Sequence, residues 1–299
     1  MARKVTKAVI PAAGLGTRLL PATKAVPKEM LPVVDKPVIQ YIVEEAAASG
    51  IEEVIVITSR GKDAIEDHFD RYFELETRLK QTGKIAQLEA VIKPATIVSI
   101  VFVRQPEPLG NGHAVLCARQ VVGNEPFAML WGDDFVAPGP SGEPCLNQML
   151  RAFEKYDSSV LAAMRVPRQD WNKYGMIAAD PIDERTLRVR SIVEKPAIEE
   201  SPSDLAQVKG CILTPEIFEI LGRTPAQKGN EIWLMDAIQE LISIQPVYAY
   251  IFEGRRFDTG NALEYLKANI EMSLLRPDIA DSLKQYLRDL VMGLAANSE

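Results

Sequence analysis

The chain has 299 residues, of which 47% are hydrophobic and 25% are charged, and its net charge is −7. This composition is that of an ordinary globular protein and excludes the disordered and fibrous classes. The acidic balance argues against nucleic acid as a partner, because nucleic-acid-binding domains carry a basic surplus or stripe.

Few residues are available for thiol, imidazole or membrane chemistry. Three scattered cysteines without a CxxC pair exclude a disulfide framework and a structural zinc site. Two histidines leave neither an HExxH motif nor a Ser-His-Asp triad. The first residues lack the apolar core of a secretory signal, and no run approaches the ~18 apolar residues of a membrane helix. We therefore expect a soluble cytoplasmic protein with no membrane partner.

The first half of the chain alternates apolar strand patterns with helix patterns. Strands are predicted at 7–11, 53–58, 97–103 and 127–131, and helices at 38–49, 62–88 and 113–119. The strand runs are continuously apolar, as in parallel sheets that are buried on both faces. This order predicts an α/β fold with a parallel, doubly wound sheet.

The second half is more mixed. It contains predicted strands at 160–166, 189–193, 208–213 and 248–252, a helix at 231–242, and a helical segment at 262–294 that breaks at Pro277. No linker divides the chain, so we expect one domain over residues 1–299 with a C-terminal helical segment over 262–299. Apolar stripes on that segment can pack on the core or on a second copy of the chain, and we expect a homo-oligomer.

The loop after the first strand combines glycines with basic side chains. Gly14 and Gly16 let backbone N–H groups approach an anion, Arg18 offers a guanidinium fork, and Lys28 adds a mobile positive charge. These features predict a polyphosphate site at the carboxyl end of a strand. Leu19 stands where a GxGxxG fingerprint needs its third glycine, and no P-loop motif is present. A glycine turn with incidental charges is the alternative.

Carboxylates follow two of the predicted strands. Asp133 and Asp134 come directly after the strand at 127–131, and Asp258 follows a later strand. Mg²⁺ prefers oxygen ligands together with substrate phosphates, so these residues are candidate metal ligands. Sequence spacing does not show whether Asp258 meets Asp133, and strand alternation does not choose between Asp133 and Asp134.

Two further motifs have side chains suited to a nucleotide sugar. Glu194 can accept hydrogen bonds from sugar hydroxyls and Lys195 can pair with a phosphate, but neighbours in a strand point to opposite faces. Both reach one ligand only if the strand ends there, as Pro196 indicates. The amide of Gln105 offers a donor and an acceptor that match a pyrimidine edge. We expect His113, which follows it, to be structural rather than catalytic.

Taken together, these residues resemble a known family. The run AAGLGTRLLPATKAVPKEMLPVVDKPVIQYIVEEA at 12–46 is similar to the start of bacterial UTP–glucose-1-phosphate uridylyltransferases, which are sugar nucleotidyltransferases. The similarity continues through RQPEPLGNGHAVLCA at 104–118, VEKP at 193–196, EIWLMDAI at 231–238 and FDTGN at 257–261, and so covers nearly the whole chain. The resemblance implies a Rossmann-like, doubly wound, mixed but mostly parallel sheet with C-terminal helices.

The resemblance also implies an activity and roles for individual residues. The activity is transfer of the uridylyl group of UTP to glucose 1-phosphate, with release of pyrophosphate and with Mg²⁺ as cofactor. Arg18 and Lys28 would be the catalytic residues that hold the phosphates, and Asp133 and Asp258 would bind the metal. The substrate-binding residues would be Ala12, Ala13, Gly14, Gly16, Glu29, Gln105, Gly110, Gly175, Glu194 and Lys195.

Several positions depart from the family's pattern. Lys209 stands where a glycine is usual, Asn111 replaces a frequent leucine, and Trp233 and Met235 stand where Gln and Thr are common. These changes flank the expected sugar site. Two alternatives stay open: the same chemistry with another nucleotide or sugar phosphate, such as dTTP, and a regulator that binds a nucleotide sugar without catalysis.

Overall fold

The computed structural model describes residues 3–227 and 229–296. Its strands are β1 (Lys7–Pro11), β2 (Pro32–Val33), β3 (Lys36–Pro37), β4 (Glu53–Thr58), β5 (Ser99–Arg104), β6 (Phe127–Leu130), β7 (Asp134–Pro138), β8 (Val160–Arg165), β9 (Gly175–Pro181), β10 (Thr186–Glu194), β11 (Leu205–Leu213), β12 (Tyr248–Ile251) and β13 (Gly254–Asp258). Its α-helices are α1 (Val38–Ala48), α2 (Asp63–Phe69), α3 (Phe73–Gln81), α4 (Ile85–Ile92), α5 (Gly110–Cys117), α6 (Arg119–Val122), α7 (Cys145–Tyr156), α8 (Ile217–Leu221), α9 (Leu234–Ile244), α10 (Ala262–Leu274) and α11 (Ala280–Ala296).

A nine-stranded sheet forms the centre of the molecule, in the order β5-β4-β1-β6-β11-β8-β12-β10-β9. Its first four strands are parallel neighbours, with Val9 of β1 facing Ile55 of β4 and Met129 of β6. Helices cover both faces, as the continuous apolar runs predicted. Ala8 and Ile10 pack into a core with α1 and α7, whereas Val9 packs into a second core with α5, α8 and α9.

The α/β fold with a mixed sheet and C-terminal helices is confirmed, but the expectation that the sheet is mostly parallel needs correction. Beyond β6, only β8 and β12 pair in parallel; the pairs β6–β11, β11–β8, β12–β10 and β10–β9 are antiparallel in the described chain. The segment between β9 and β10 has only four residues, 182–185. A parallel connection needs a dozen or more residues, so these strands form a hairpin.

Local predictions succeeded where the apolar pattern was strong. Strands β1 and β4 have the predicted bounds, and the segment 262–294 forms α10 and α11 with a break around Pro277; residues 297–299 of the expected C-terminal segment lie outside the described residues. The helix predicted at 62–88 is wrong as one element, because it is divided into α2, α3 and α4. Gly83, between α3 and α4, has φ +69°, which ends a helix at little cost. Seven elements were not predicted from the sequence: β2, β3, β7, β9, β13, α7 and α8.

None of the helices in residues 3–227 and 229–296 is long and apolar enough to cross a membrane. The carboxyl ends of β1, β4, β5 and β6 meet at one edge of the sheet, because these strands are parallel neighbours. The segments that carry the predicted site residues 12–30, 105–112 and 131–134 all leave the sheet at this edge. Open α/β sheets bind ligands outside the carboxyl ends of their strands.

Candidate active site

The loop after β1 folds back on itself around Gly16. The φ of Gly16 is +68°, and a Cβ at this position would lie 3.3 Å from Lys28 Cβ and from Thr23 Cβ. Thr23 Oγ1 donates a hydrogen bond of 2.8 Å to the carbonyl of Gly16. By contrast, a Cβ at Gly14 would meet nothing within 4 Å, so the loop is open to solvent there. The loop therefore places Lys28 next to the exposed backbone around Gly14 and Gly16. The glycine pattern of the sequence did not show this proximity.

Two adjoining cavities lie over this edge of the sheet. A cavity of about 400 Å³ is lined by Ala13, Gly14, Gly16, Glu29, Gln105 and Gly110, which are residues expected to bind the nucleotide. A cavity of about 540 Å³ is lined by Gly175, Glu194 and Lys195, the residues expected to bind the sugar phosphate, and by Arg18, Asp133 and Asp258. Lys28, Asn111, Trp131 and Asp133 line both cavities and so mark their junction.

Ala12 is the predicted substrate-binding residue that lies apart from the cavities. It is 1% exposed, and its N–H donates a 2.8 Å hydrogen bond to the carbonyl of Ile57 in β4. Ala12 thus extends the pairing of β1 with β4 by one residue and anchors the start of the loop to the sheet.

The junction of the cavities concentrates opposite charges. Lys28 Nζ lies 2.6 Å from Asp133 Oδ2, and the Arg18 guanidinium lies 3.9 Å from Asp133 and 4.0 Å from Asp258. Burial by itself lowers the pKa of the Lys28 ammonium, but the neighbouring carboxylate of Asp133 raises the pKa above its usual value. Burial likewise opposes ionisation of Asp133, yet Lys28 and Arg18 hold its pKa below the usual value. Lys28 and Asp133 are thus both charged at neutral pH.

The structure brings together the two carboxylates whose proximity sequence spacing left open. A Cβ added at Gly260 would lie 2.6 Å from Asp133 Oδ2 and 3.1 Å from Asp258 Oδ1. Thr259 holds the segment by donating its N–H (2.9 Å) and its hydroxyl (2.8 Å) to the carbonyl of Asp133. Burial and the charge of Asp134 raise the pKa of Asp258. The ribbon of β7 and β13, which the sequence reading missed, sets this arrangement by pairing Asp258 with Asp134.

Two carboxylates with converging oxygens fit a magnesium ion. No group of three or more His, Cys, Asp or Glu side chains suited to a metal occurs in the described part of the chain. Mg²⁺ is commonly bound by one or two carboxylates together with water and substrate phosphates. Asp133 and Asp258 are the residues that could hold such an ion.

Glu194 and Lys195 reach one cavity because the strand ends between them. Strand β10 ends at Glu194, and Lys195 has φ +44°, so its side chain does not continue the alternation. Lys195 Nζ lies 3.1 Å from Glu194 Oε1. Gly175 lies opposite: a Cβ there would be 3.3 Å from Glu194 Oε2 and 3.1 Å from Met235 Sδ. The strand therefore ends where Glu194 and Lys195 can both reach one ligand, as the sequence analysis required.

On the other side, the segment that carries Gly110 is fastened to the start of α9. Ile232 N donates to Leu109 O and Gly112 N donates to Ile232 O, both at 2.8 Å. Gly110 has φ +90°, and a Cβ there would lie 2.8 Å from Ile232 O, so no larger residue fits. Asn111 Oδ1 accepts a 2.9 Å hydrogen bond from Leu234 N and thereby satisfies a free N–H at the first turn of α9. This contact gives the asparagine at this position a structural role.

Comparison with known proteins identifies the family. The family described as "Nucleotidyl transferase" matches residues 7–273. This chain belongs to the nucleotidyl transferase family. It is 47% identical over 291 residues to UTP–glucose-1-phosphate uridylyltransferase YngB of Bacillus subtilis, covering 97% of each chain. It is 48% identical to UTP–glucose-1-phosphate uridylyltransferase of Staphylococcus epidermidis, covering 96% of this chain and 99% of the relative. Among solved structures, a UTP-bound UGPase from Acinetobacter baumannii has a TM-score of 0.87 and 41% identity, over 96% of this chain and all of that chain.

In this nucleotidyl transferase, the surroundings of Asp134 distinguish it from Asp133. The Asp134 carboxylate is 2.6 Å from Arg256 Nη2, and its Oδ2 accepts a 3.0 Å hydrogen bond from the backbone of Lys209. Arg256 in turn lies over the ring of Tyr174, 5.2 Å from its centroid. The carboxylate of Asp134 is therefore already paired with Arg256 and with the backbone N–H of Lys209. Arg256 precedes the FDTGN motif directly, and that neighbourhood was the only sequence signal for its role.

Lys209 directs its side chain away from both cavities. It has no exposed surface, and its Nζ lies 2.7 Å from Glu45 Oε2 and 3.2 Å from the carbonyl of Asp134. Its φ is +62°, a left-handed backbone that glycine adopts more easily than lysine. The backbone at Lys209 thus has a shape that suits glycine, and its side chain adds a buried ion pair beneath Asp134.

Glu29 lies beneath the loop as a buried carboxylate. Its Oε2 is 2.8 Å from Lys62 Nζ, its Oε1 has no partner among the described residues, and burial raises its pKa. A Cβ added at Gly132 would lie 3.1 Å from the carbonyl oxygen of Pro11 and 3.2 Å from Glu29 Cγ, so the chain that leads from β6 to Asp133 packs closely against Glu29. Glu29 lines the cavity of about 400 Å³, which we call the nucleotide-side cavity. Its charge is already paired with that of Lys62.

Proposed function

We propose that this nucleotidyl transferase transfers the uridylyl group of UTP to glucose 1-phosphate and forms UDP-glucose and pyrophosphate. The observation that carries the proposal is the pair of adjoining cavities that share Lys28 and Asp133. Two anionic substrates bound in these cavities would meet where the Lys28 ammonium and the Asp133 carboxylate lie. The names of the relatives at 47–48% identity supply the substrates.

The reaction needs no histidine base. A phosphate oxygen of glucose 1-phosphate, already an anion, attacks the α-phosphorus of UTP, and the bond from that phosphorus to the bridging oxygen breaks to release pyrophosphate. Neither His68 nor His113 lines either cavity. The protein must hold two mutually repelling anions in line, so positioning and charge stabilisation supply most of the catalysis.

Each side of the junction would have its own task in this reaction. Arg18 and Lys28 would neutralise the charge that develops on the transferring phosphoryl group. Lys195 would pair with the phosphate of the sugar, and Glu194 would accept hydrogen bonds from its hydroxyls. Their 3.1 Å contact keeps the Lys195 ammonium and the Glu194 carboxylate in the same cavity before a ligand arrives.

Asp133 and Asp258 would hold Mg²⁺, whose chemistry is to neutralise phosphate oxygens and orient the leaving group. We expect activity to be lost in excess chelator and restored by Mg²⁺. Asp133→Asn and Asp258→Asn should each raise the Mg²⁺ concentration for half-activity by about tenfold or more, because each removes a ligand charge and preserves shape. A magnesium titration of initial rates measures this.

Asp134→Asn is the control for that titration. Its carboxylate lies 2.6 Å from Arg256 Nη2 and is neutralised by this protein partner, so we expect a lower thermal stability and a smaller change in the Mg²⁺ requirement. Full activity in excess chelator would contradict the metal proposal. A larger magnesium shift for Asp134→Asn than for Asp133→Asn would show that the wrong carboxylate was chosen.

Gln105 would read the base. Gln105→Ala should reduce the preference for UTP over CTP by about tenfold and slow the reaction with UTP less, because a buried amide rejects bases that leave it unpaired. The measurement is kcat/KM for both nucleotides. If the variant keeps the full preference for UTP, another group reads the base.

A pyrophosphate-release assay with a panel of nucleoside triphosphates and sugar 1-phosphates tests the function as a whole. UTP with glucose 1-phosphate should be the fastest pair. A faster reaction with dTTP would assign the same chemistry to another nucleotide. Binding of UDP-glucose without any pyrophosphate release would assign a regulator that binds a nucleotide sugar without catalysis.

We also propose that the protein works as a homo-oligomer in the cytoplasm. Exposed apolar side chains cluster on the two C-terminal helices: Leu263, Leu266 and Ile270 on α10, and Leu290 and Val291 on α11. Apolar patches of this kind commonly mark protein–protein interfaces. Light scattering of the purified protein tests the assembly, and a monomer at micromolar concentration would contradict it.

A further inference from the structure

The amide of Gln105 is held by two acceptors of the protein. Its Nε2 lies 3.0 Å from the carbonyl oxygen of Gly110 and 3.0 Å from His113 Nδ1. A backbone carbonyl can only accept a hydrogen bond, so the amide nitrogen, and not the amide oxygen, must occupy this side. The orientation of the Gln105 side chain is therefore determined by chemistry.

That orientation also determines which ring nitrogen of His113 bears the proton. Because the Gln105 amide donates, Nδ1 must accept with its lone pair, and the proton is on Nε2. Nε2 lies 4.0 Å from Cys117 Sγ, one turn further along α5, which is a weak sulfur acceptor. Both ring nitrogens of the neutral imidazole thus have a partner of the matching kind.

With both amide protons used, Gln105 presents a pure acceptor to a ligand. No donor within residues 3–227 and 229–296 contacts its Oε1, and this atom is not among the buried oxygens that lack a partner. Gln105 lines the nucleotide-side cavity. Its Oε1 is therefore open to that cavity, although the residue as a whole is only 9% exposed.

We propose that His113 is a specificity-determining residue that positions Gln105. By accepting an amide proton, it keeps Oε1 directed at the base, where this oxygen pairs with a ring N3–H. Uracil carries N3–H, whereas cytosine has a lone pair at N3 that would face the lone pairs of Oε1. A turned amide would present N–H groups instead and would suit cytosine. Thymine shares the N3–H of uracil, so this contact selects against cytosine and not against thymine.

The inference rests on the proposed function, because it assumes that a pyrimidine nucleotide binds next to Gln105. His113 itself touches neither the reacting atoms nor the cavities, and its effect passes through the amide. A merely structural histidine would change stability and turnover with both nucleotides alike. A positioning histidine changes the ratio between them.

The experiment compares kcat/KM with UTP and with CTP for the full chain and two variants. His113→Leu removes the acceptor and should lower the UTP-to-CTP ratio about fivefold, the worth of one neutral hydrogen bond. His113→Asn places a carbonyl oxygen near the position of Nδ1 and should restore the ratio to within about twofold of the parent. An unchanged ratio in an active His113→Leu variant overturns the inference.

A measurement on the unmodified protein keeps the test independent of how the variants fold. The chain has two histidines, so ¹⁵N chemical shifts of histidine-labelled protein can be assigned with a single His68 variant. The inference requires an unprotonated Nδ1 and a protonated Nε2 on His113, and a proton on Nδ1 overturns it. If the parent protein releases no pyrophosphate from UTP and glucose 1-phosphate, the proposed function fails instead, and the tautomer measurement still reports on the amide.

Discussion

Replacing Lys28 with alanine is expected to lower kcat/KM about a hundredfold while the protein stays folded. Lys28 lines both cavities, its side chain is 20% exposed, and its Nζ is 2.6 Å from Asp133. We expect it to stabilise negative charge on the phosphates in the transition state. Removing one such contact costs on the order of 3 kcal/mol, which corresponds to the hundredfold loss. Steady-state kinetics with UTP and glucose 1-phosphate measure it.

Lys24 provides a matched control in the same loop. It is exposed and lines neither cavity, so Lys24→Ala removes an equal charge at a similar place in the chain. We expect its kcat/KM to stay within about twofold of the parent, since an exposed charge contributes little. Near-normal turnover of Lys28→Ala, with its circular dichroism and melting temperature unchanged, would remove Lys28 from the catalytic site.

Lys209→Gly is expected to destabilise the protein by about 2–3 kcal/mol, even though the backbone at this position suits glycine. Two effects oppose each other. Glycine relieves a left-handed backbone at φ +62°, worth roughly 1–2 kcal/mol. Removing the ammonium leaves the Glu45 carboxylate, only 9% exposed, without its cation, which costs about 3–5 kcal/mol. The lost ion pair is the larger effect, so the free energy of unfolding in urea should fall.

A second substitution separates the two causes. In Lys209→Gly with Glu45→Gln the buried charge is gone, and the Gln carbonyl can still accept the 2.9 Å hydrogen bond that Leu146 N donates to Glu45. We expect this double variant to recover more than half of the lost stability. Lys4→Ala, which breaks the exposed Lys4–Glu52 pair at 2.6 Å, should change stability by less than about 0.5 kcal/mol. A Lys209→Gly variant as stable as the parent would show that losing the buried pair costs no more than the roughly 1–2 kcal/mol that the relieved backbone returns.

The sequence by itself determined the elements and motifs that depend on neighbouring residues. The continuous apolar runs of β1 and β4 predicted parallel strands buried on both faces, and the glycines and cations after β1 predicted an anion site at the carboxyl end of that strand. The resemblance carried by the run at 12–46 indicated the family, which the comparisons confirmed. These signals are local, since hydrophobic periodicity and loop composition are read within one segment.

Only the tertiary structure decided how distant segments meet. The approach of Asp258 to Asp133, the pairing of Asp134 with Arg256, and the burial of Lys209 against Glu45 each join residues more than a hundred positions apart. The antiparallel half of the sheet likewise depends on the β9–β10 hairpin, whose first strand shows no clear pattern of its own. Periodicity predicts which face of a segment is buried, but it does not predict which other segment packs against that face. The choice of Asp133 over Asp134 came from the family resemblance and stays a prediction. The fold shows how their surroundings differ: Asp133 lines both cavities and contacts Lys28, whereas Asp134 is paired with Arg256.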